Sequence, residues 1–358
     1  MPRQTGLQRL PGPVLACFRF VTRLVLLLGA VAASLCTAGA DEASDARKLL
    51  SAHRLSPKGH VWATADDLVL QRRLNTLDFL VRQVRESEGR VGQIVARNEA
   101  FRTELEQIDV ALQEARTKES NDPQTTKRIE LLVNKRDTLQ DKFLPPEEFS
   151  SDDTVRDEVV QLIGRRQQLS LSVHTTSAEV SRVEEIYAGL NKDPEITAAL
   201  AALGKSHRLA GGRLLKQYQD RISQAQRAAA GRWVPLYRVA GSYRVPLLVE
   251  ERAPVTMTYQ PGSGPGLLPD SVRRRAGIDI PQDARQTFYR VADGREIPVR
   301  VVEVAYLQLG PYLLEKVPFY VLPPEAEDLG GRITDETLAG YAVRAVPHRL
   351  RLVLGTGN

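Results

Sequence analysis

Apolar residues recur along much of this 358-residue chain in alternating steps of three and four, the spacing that lines them up on one stripe of an α-helix. Leu70, Leu74, Leu77, Val81 and Val84 open the first seam. Its phase slips at Glu88 and resumes with Val91, Ile94, Asn98, Phe101, Leu105, Ile108 and Leu112, predicting one helix over 64–115. About 50 residues rising about 1.5 Å each would make a rod of roughly 75 Å. Thr64-Ala-Asp-Asp67 reads as its capping box, a carboxylate returning to the free amides of the first turn. After a polar break at Thr117–Asp122, Asp122-Pro123 caps a second helix with Ile129, Leu132, Leu139 and Phe143 on its seam. Proline at the first helical position costs nothing, since its missing N–H has no partner there.

Leu144–Asp153 holds paired prolines, acids and serines and reads as a linker. The third helix, over 154–190, has the most regular seam: Val159, Leu162, Arg166, Leu169, Val173, Thr176, Val180, Val183, Tyr187 and Leu190. Arg166 and Thr176 read as register-setting or solvated positions within it. Asp193-Pro194 caps a short helix to Leu203, and a last one spans 213–230. The short connections suit antiparallel hairpins within one chain, and the seams equally suit pairing of two chains. From Trp233 the period changes. Val245–Val249, Val255–Tyr259, Ile297–Val302 and Phe319–Leu322 are short β-branched and aromatic runs between turn residues, predicting a small all-β domain over 232–354.

The first 40 residues stand apart. Arg3, Arg9, Arg19 and Arg23 precede an apolar run over Leu24–Leu35 and a small-residue site at Ala38-Gly39-Ala40, the layout of a signal peptide, with a retained N-terminal anchor as the alternative. Residues 41–63 read as a linker. The expectation is therefore an exported protein, periplasmic or extracellular, touching a membrane only if the leader stays uncleaved. Cleavage would remove both cysteines, Cys17 and Cys36, and with them any disulfide. It would also leave 45 basic against 44 acidic residues, a balance without the basic face of a nucleic-acid binder.

Few patterns carry chemistry. His53, His60, His174, His207 and His348 are scattered without metal-ligand spacing, so no metal and no cofactor are expected. Gly262-Ser-Gly-Pro-Gly266 opens onto no lysine-bearing helix, which argues against a phosphate cradle. Ser263 lacks a nucleophile-elbow pattern.

The β-domain does carry an ordered set of pieces. A hairpin runs from Val245–Val249 through Glu250-Glu251-Arg252 to Val255–Tyr259, which feeds a loop at Gln260-Pro261-Gly262; Leu267-Leu268-Pro269 follows and opens a short helix ending at Gly277. Ala292-Asp293-Gly294 sits in a turn before Ile297–Val302, and Leu338–Val343 with Arg349–Val353 close the chain. This order and spacing resembles the retropepsin-like aspartic protease domain, over roughly a third of the chain.

The resemblance implies a multidomain α plus β protein whose small barrel follows a helical coiled-coil region over 64–230. It makes Gln260-Pro261-Gly262 the active-site loop, Ala292-Asp293-Gly294 the flap tip, and Leu338–Val343 a closing helix. It also implies a homodimer, in which each chain lends one aspartate to a carboxylate pair sharing a proton. Gln260 stands where that aspartate belongs, and an amide cannot take a proton from water near neutral pH. Pro261 replaces the loop threonine, and Ile333-Thr334-Asp335 replaces two apolar residues and a glycine. Asp270, Asp279 and Asp293 read as turn or helix-end residues, which leaves Asp335 as the candidate stand-in. The reading is a catalytically inactive barrel used for dimerisation or for binding a protein or peptide; an endopeptidase with a displaced carboxylate is the alternative.

Overall fold

The computed structural model describes residues 41–117, 122–338 and 340–356; the expected leader over 1–40 lies outside them. Among the described residues no helix is long and apolar enough to cross a membrane. A helix over 41–52 (α1) leads to strands β1 (Leu55–Lys58) and β2 (Val61–Thr64), then to helices α2 (Ala65–Thr117), α3 (Pro123–Gln140), α4 (Pro146–Ser151), α5 (Asp153–Leu190) and α6 (Pro194–Ala202). A two-residue strand, β3 (Arg208–Leu209), precedes α7 (Gly211–Ala230). The chain then turns to β-structure: β4 (Val234–Pro235), β5 (Tyr237–Val239), β6 (Ser242–Val249), β7 (Ala253–Gln260), β8 (Gly266–Pro269), helix α8 (Asp270–Ala276), β9 (Gln286–Arg290), β10 (Glu296–Leu309), β11 (Tyr312–Leu322), β12 (Arg332–Thr334), β13 (Tyr341–Val346) and β14 (Arg351–Thr356).

The contacts divide into two units, one drawn from residues up to Val69 with Ser181–Lys216, the other from Leu70–Val180 with Gln217 onward. In the first, residues 41–63 are folded rather than a linker. Leu50, Leu55 and Trp62 are buried against Ile196 and Ala199, and β2 pairs with both β1 and β3. This apolar set is too short to show a period, and its partners lie far along the chain. The Thr64 capping box forms as expected, the Thr64 N–H donating to Asp67 Oδ2 at 3.0 Å, and the Tyr187 hydroxyl donates to the same oxygen.

In the second unit the seams are buried within one chain. Leu70, Leu74, Leu77, Val81 and Val84 on α2 and Val159, Leu162, Leu169 and Val173 on α5 are buried, and the ion pairs Arg73–Glu179 (2.8 Å) and Arg90–Glu158 (2.9 Å) fix an antiparallel alignment. The phase slip falls where Ser87 enters the interface and receives Arg165, while Arg166 donates to Glu88. Arg166 is thus neither solvated nor a mere register device. Its side chain also donates to the Trp233 carbonyl at 2.9 Å and lies 5.1 Å from that indole ring, which ties α5 to the first residues of the β-domain. The expected linker contains α4, and Asn98 is bonded twice to the Leu144 backbone just before it, at 2.9 and 3.0 Å.

The β-domain is a closed barrel. Its main sheet runs β5-β6-β7-β12-β8-β11-β10-β9, and a second pairing of β6 with β10 closes the ring. Val245, Met257, Val304, Phe319 and Ile333 are among the side chains that fill it. The closing segment departs from the expected helix: β13 pairs with β14 from Tyr341↔Thr356 to Val346↔Arg351. Tyr341, Val343 and Ala345 alternate onto the core, and that two-residue period is a strand's rather than a helix's. Gly340, at φ 95°, makes the turn into it.

Candidate functional site

The loop between β7 and β8 is held almost entirely by the turn that follows β12. β12 runs parallel to β7 with Ile333 opposite Tyr259 and Thr334 opposite Gln260, so the next residues emerge beneath the loop. Asp335 is the first of them. Its Oδ2 accepts the Gly262 N–H at 2.8 Å and its Oδ1 accepts the Tyr259 hydroxyl at 2.6 Å. Glu336 accepts the Gly264 N–H at 2.7 Å, and the Thr334 hydroxyl donates to the Gly264 carbonyl at 2.5 Å. Thr334 is fixed in turn by Thr337, whose hydroxyl accepts the Thr334 N–H at 3.2 Å. Gly262 and Gly264 have φ of 110° and 133°, left-handed values that glycine adopts without steric cost.

Gln260 ends β7 exposed at the base of this loop. Its side-chain oxygen accepts from Arg332 at 3.1 Å. The same guanidinium reaches toward the Pro265 carbonyl at 3.4 Å and lies 5.2 Å from the Tyr289 ring, on β9. Its Nε is buried without a hydrogen-bond partner. Arg332 therefore links the β7–β8 loop to β9. Sequence reading missed Arg332, Tyr289 and Glu336, because the link exists only once β12 is inserted beside β7.

Ala292-Asp293-Gly294 forms the turn between β9 and β10, paired from Arg290↔Glu296. The Val291 N–H donates to the Arg295 carbonyl at 2.9 Å, and Asp293 accepts the Arg295 backbone N–H at 3.0 Å and its Nε at 2.6 Å. Those hydrogen bonds hold the exposed Asp293 carboxyl below its ordinary range. Asp270 is buried against Arg273 at the start of α8, and Asp279 is exposed; neither is hydrogen-bonded to the loop. Burial first, then the Asp335 carboxylate, pushes the Tyr259 phenol above its ordinary range, so Tyr259 is a proton donor to Asp335 throughout the physiological range.

Among the described residues no group of three or more histidine, cysteine, aspartate or glutamate side chains has metal-binding geometry. The chemistry assembled here is hydrogen bonding: one carboxylate with both oxygens engaged, a side-chain amide, and a guanidinium over an aromatic ring.

The chain combines a long helical region with a C-terminal β-rich barrel. No family model matches it, and no curated protein matches it. Among solved structures, the crystal structure of a retropepsin-like aspartic protease from Rickettsia conorii is similar at 13% identity, covering 34% of this chain and 95% of that one, with a TM-score of 0.27.

Proposed function

We propose that this chain is an exported protein in which a helical region carries a catalytically inactive retropepsin-like barrel, used for binding a protein or peptide or for self-association. The observation that supports it is the occupancy of the loop. Gln260 stands at the position of the acid, and its amide is bonded to Arg332. Aspartic protease chemistry needs two close carboxylates sharing one proton, with a water between them. Asp335, the nearest candidate, has one oxygen on a backbone amide and the other on a phenol.

A second reading rests on that same residue. Asp335 does reach the loop and could serve an endopeptidase if a second chain supplied its mate. Incubating the full chain with unfolded casein from acidic to neutral pH, with and without pepstatin, separates the two. The first reading expects no pepstatin-sensitive cleavage; cleavage that Asp335→Asn abolishes would replace it with the second. Light scattering of the same sample tests self-association by mass.

A further inference from the structure

A cavity of about 270 Å³ opens where α5 and α7 meet the β6–β7 and β10–β11 hairpins. Its polar lining is Ser170, His174 and Ser177 from α5, Gln226 from α7, Glu251 from the β6–β7 turn and Gln308 from β10. Gln308 Nε2 donates to the Gly310 carbonyl at 3.3 Å and the Ser170 hydroxyl to the Arg166 carbonyl at 3.0 Å; the side chains of the other four make no hydrogen bond or ion pair among the described residues. Val173, Leu248 and Leu313 supply an apolar wall. The size lies near the lower end for small-molecule sites, and an apolar wall with a few convergent polar groups at a junction of substructures is their usual make-up.

The turn that brings Glu251 to this cavity is strained. Glu250 and Glu251 have φ of 50° and 55°, at the two central positions where such a hairpin turn normally takes Asn-Gly. Glu250 has a local reason to be there, since its carboxylate accepts the Ala305 and Tyr306 backbone N–H groups at 2.5 and 3.2 Å. Among the described residues the Glu251 side chain makes no such bond. The hairpin turn demands positive φ at both central positions, so a glutamate at the second carries a backbone cost that glycine would avoid.

The lining also defines what would fit. No lysine or arginine lines the cavity, so an anion would face Glu251 uncompensated. A carboxylate accepts only, carboxamides and an imidazole both donate and accept, and a hydroxyl does either. A ligand matching this set presents several hydroxyls and a C–H face for Val173, Leu248 and Leu313. We infer that this cavity binds a neutral saccharide ring, with Glu251 and Gln226 holding its hydroxyls. The site is separate from the β7–β8 loop and does not depend on whether that loop is catalytic.

Saturation-transfer NMR on the full chain, with glucose and N-acetylglucosamine as separate probes, tests this. Transfer to the ring protons of at least one probe is expected, together with its loss in Glu251→Gly or Gln226→Ala. Glycine relaxes the left-handed backbone at 251, so that variant should melt no lower than the parent, and loss of signal in it cannot come from unfolding. No transfer to either probe, or transfer that survives both substitutions, overturns the proposal.

Discussion

If Asp335 is a brace, it needs hydrogen-bonding capacity and not charge, and two substitutions separate these. In Asp335→Ala the Tyr259 hydroxyl loses its acceptor while its residue is 3% exposed; a stranded buried donor costs about 1–3 kcal/mol. The Gly262 N–H also loses its acceptor but is exposed and can turn to water, adding about 1 kcal/mol. The expected total is about 2–4 kcal/mol. In Asp335→Asn the amide oxygen can still accept from Gly262, and the amide NH₂ can donate to the Tyr259 oxygen. The Gly262 bond loses its charge assistance and the Tyr259 hydroxyl hydrogen its acceptor, while the phenol oxygen gains a donor, so the net loss is about 1–2 kcal/mol, below that of the alanine variant. Urea unfolding gives the two stability changes, and amide hydrogen exchange at Gly262 reads the loop directly: fast in the alanine variant, near parental in the asparagine one. Equal destabilisation by the two substitutions would refute the brace, since it would make the negative charge the property that matters.

Three further outcomes follow from the same geometry. Gly231 has φ 71°, and a methyl there would overlap the Arg166 guanidinium; Gly231→Ala should therefore lose about 1–2 kcal/mol to strain and about 3–5 kcal/mol to disruption of the buried Arg166–Glu88 pair. Gly241→Ala, with φ 81° and open space around it, should lose only the strain part when both are compared by thermal melting. Tyr187 and Tyr259 have phenol pKa values raised by burial and by Asp67 and Asp335, while unfolded phenols ionise near about 10. The unfolded chain therefore loses protons first, so this contribution is intact below about pH 10 and declines as pH rises above it; stability measured against pH should fall less steeply in Tyr259→Phe. Asn98→Leu strands the Leu144 N–H and carbonyl at a partly buried site and should cost about 1–3 kcal/mol in urea unfolding.

What could be read from the sequence was mostly local. Capping signals at Thr64, Asp122 and Asp193 form as written, because a cap is settled within four residues. The seams were visible because their spacing is local, but not their partner, since the same stripe serves a hairpin or a dimer. Residues 41–63 show no fold in the sequence for a related reason: Trp62 packs against Ile196, and no local period announces a contact at that separation. At β13 the resemblance implies a helix, whereas Tyr341, Val343 and Ala345 alternate in the sequence as a strand's residues do. At the site, the Asp335 carboxylate is bonded to Tyr259 and Gly262. Its two hydrogen-bond partners, and the link from Arg332 to Gln260 and Tyr289, depend on β12 being threaded parallel to β7, a pairing between segments about 70 residues apart.

The central claim, a barrel whose loop is braced and not catalytic, is tested most directly by counting new peptide termini by mass spectrometry after unfolded casein is incubated with the full chain and, in parallel, with Asp335→Asn. The account predicts the same background set of termini from both, unchanged by pepstatin. A set of termini produced by the parent, suppressed by pepstatin and missing from Asp335→Asn would contradict it.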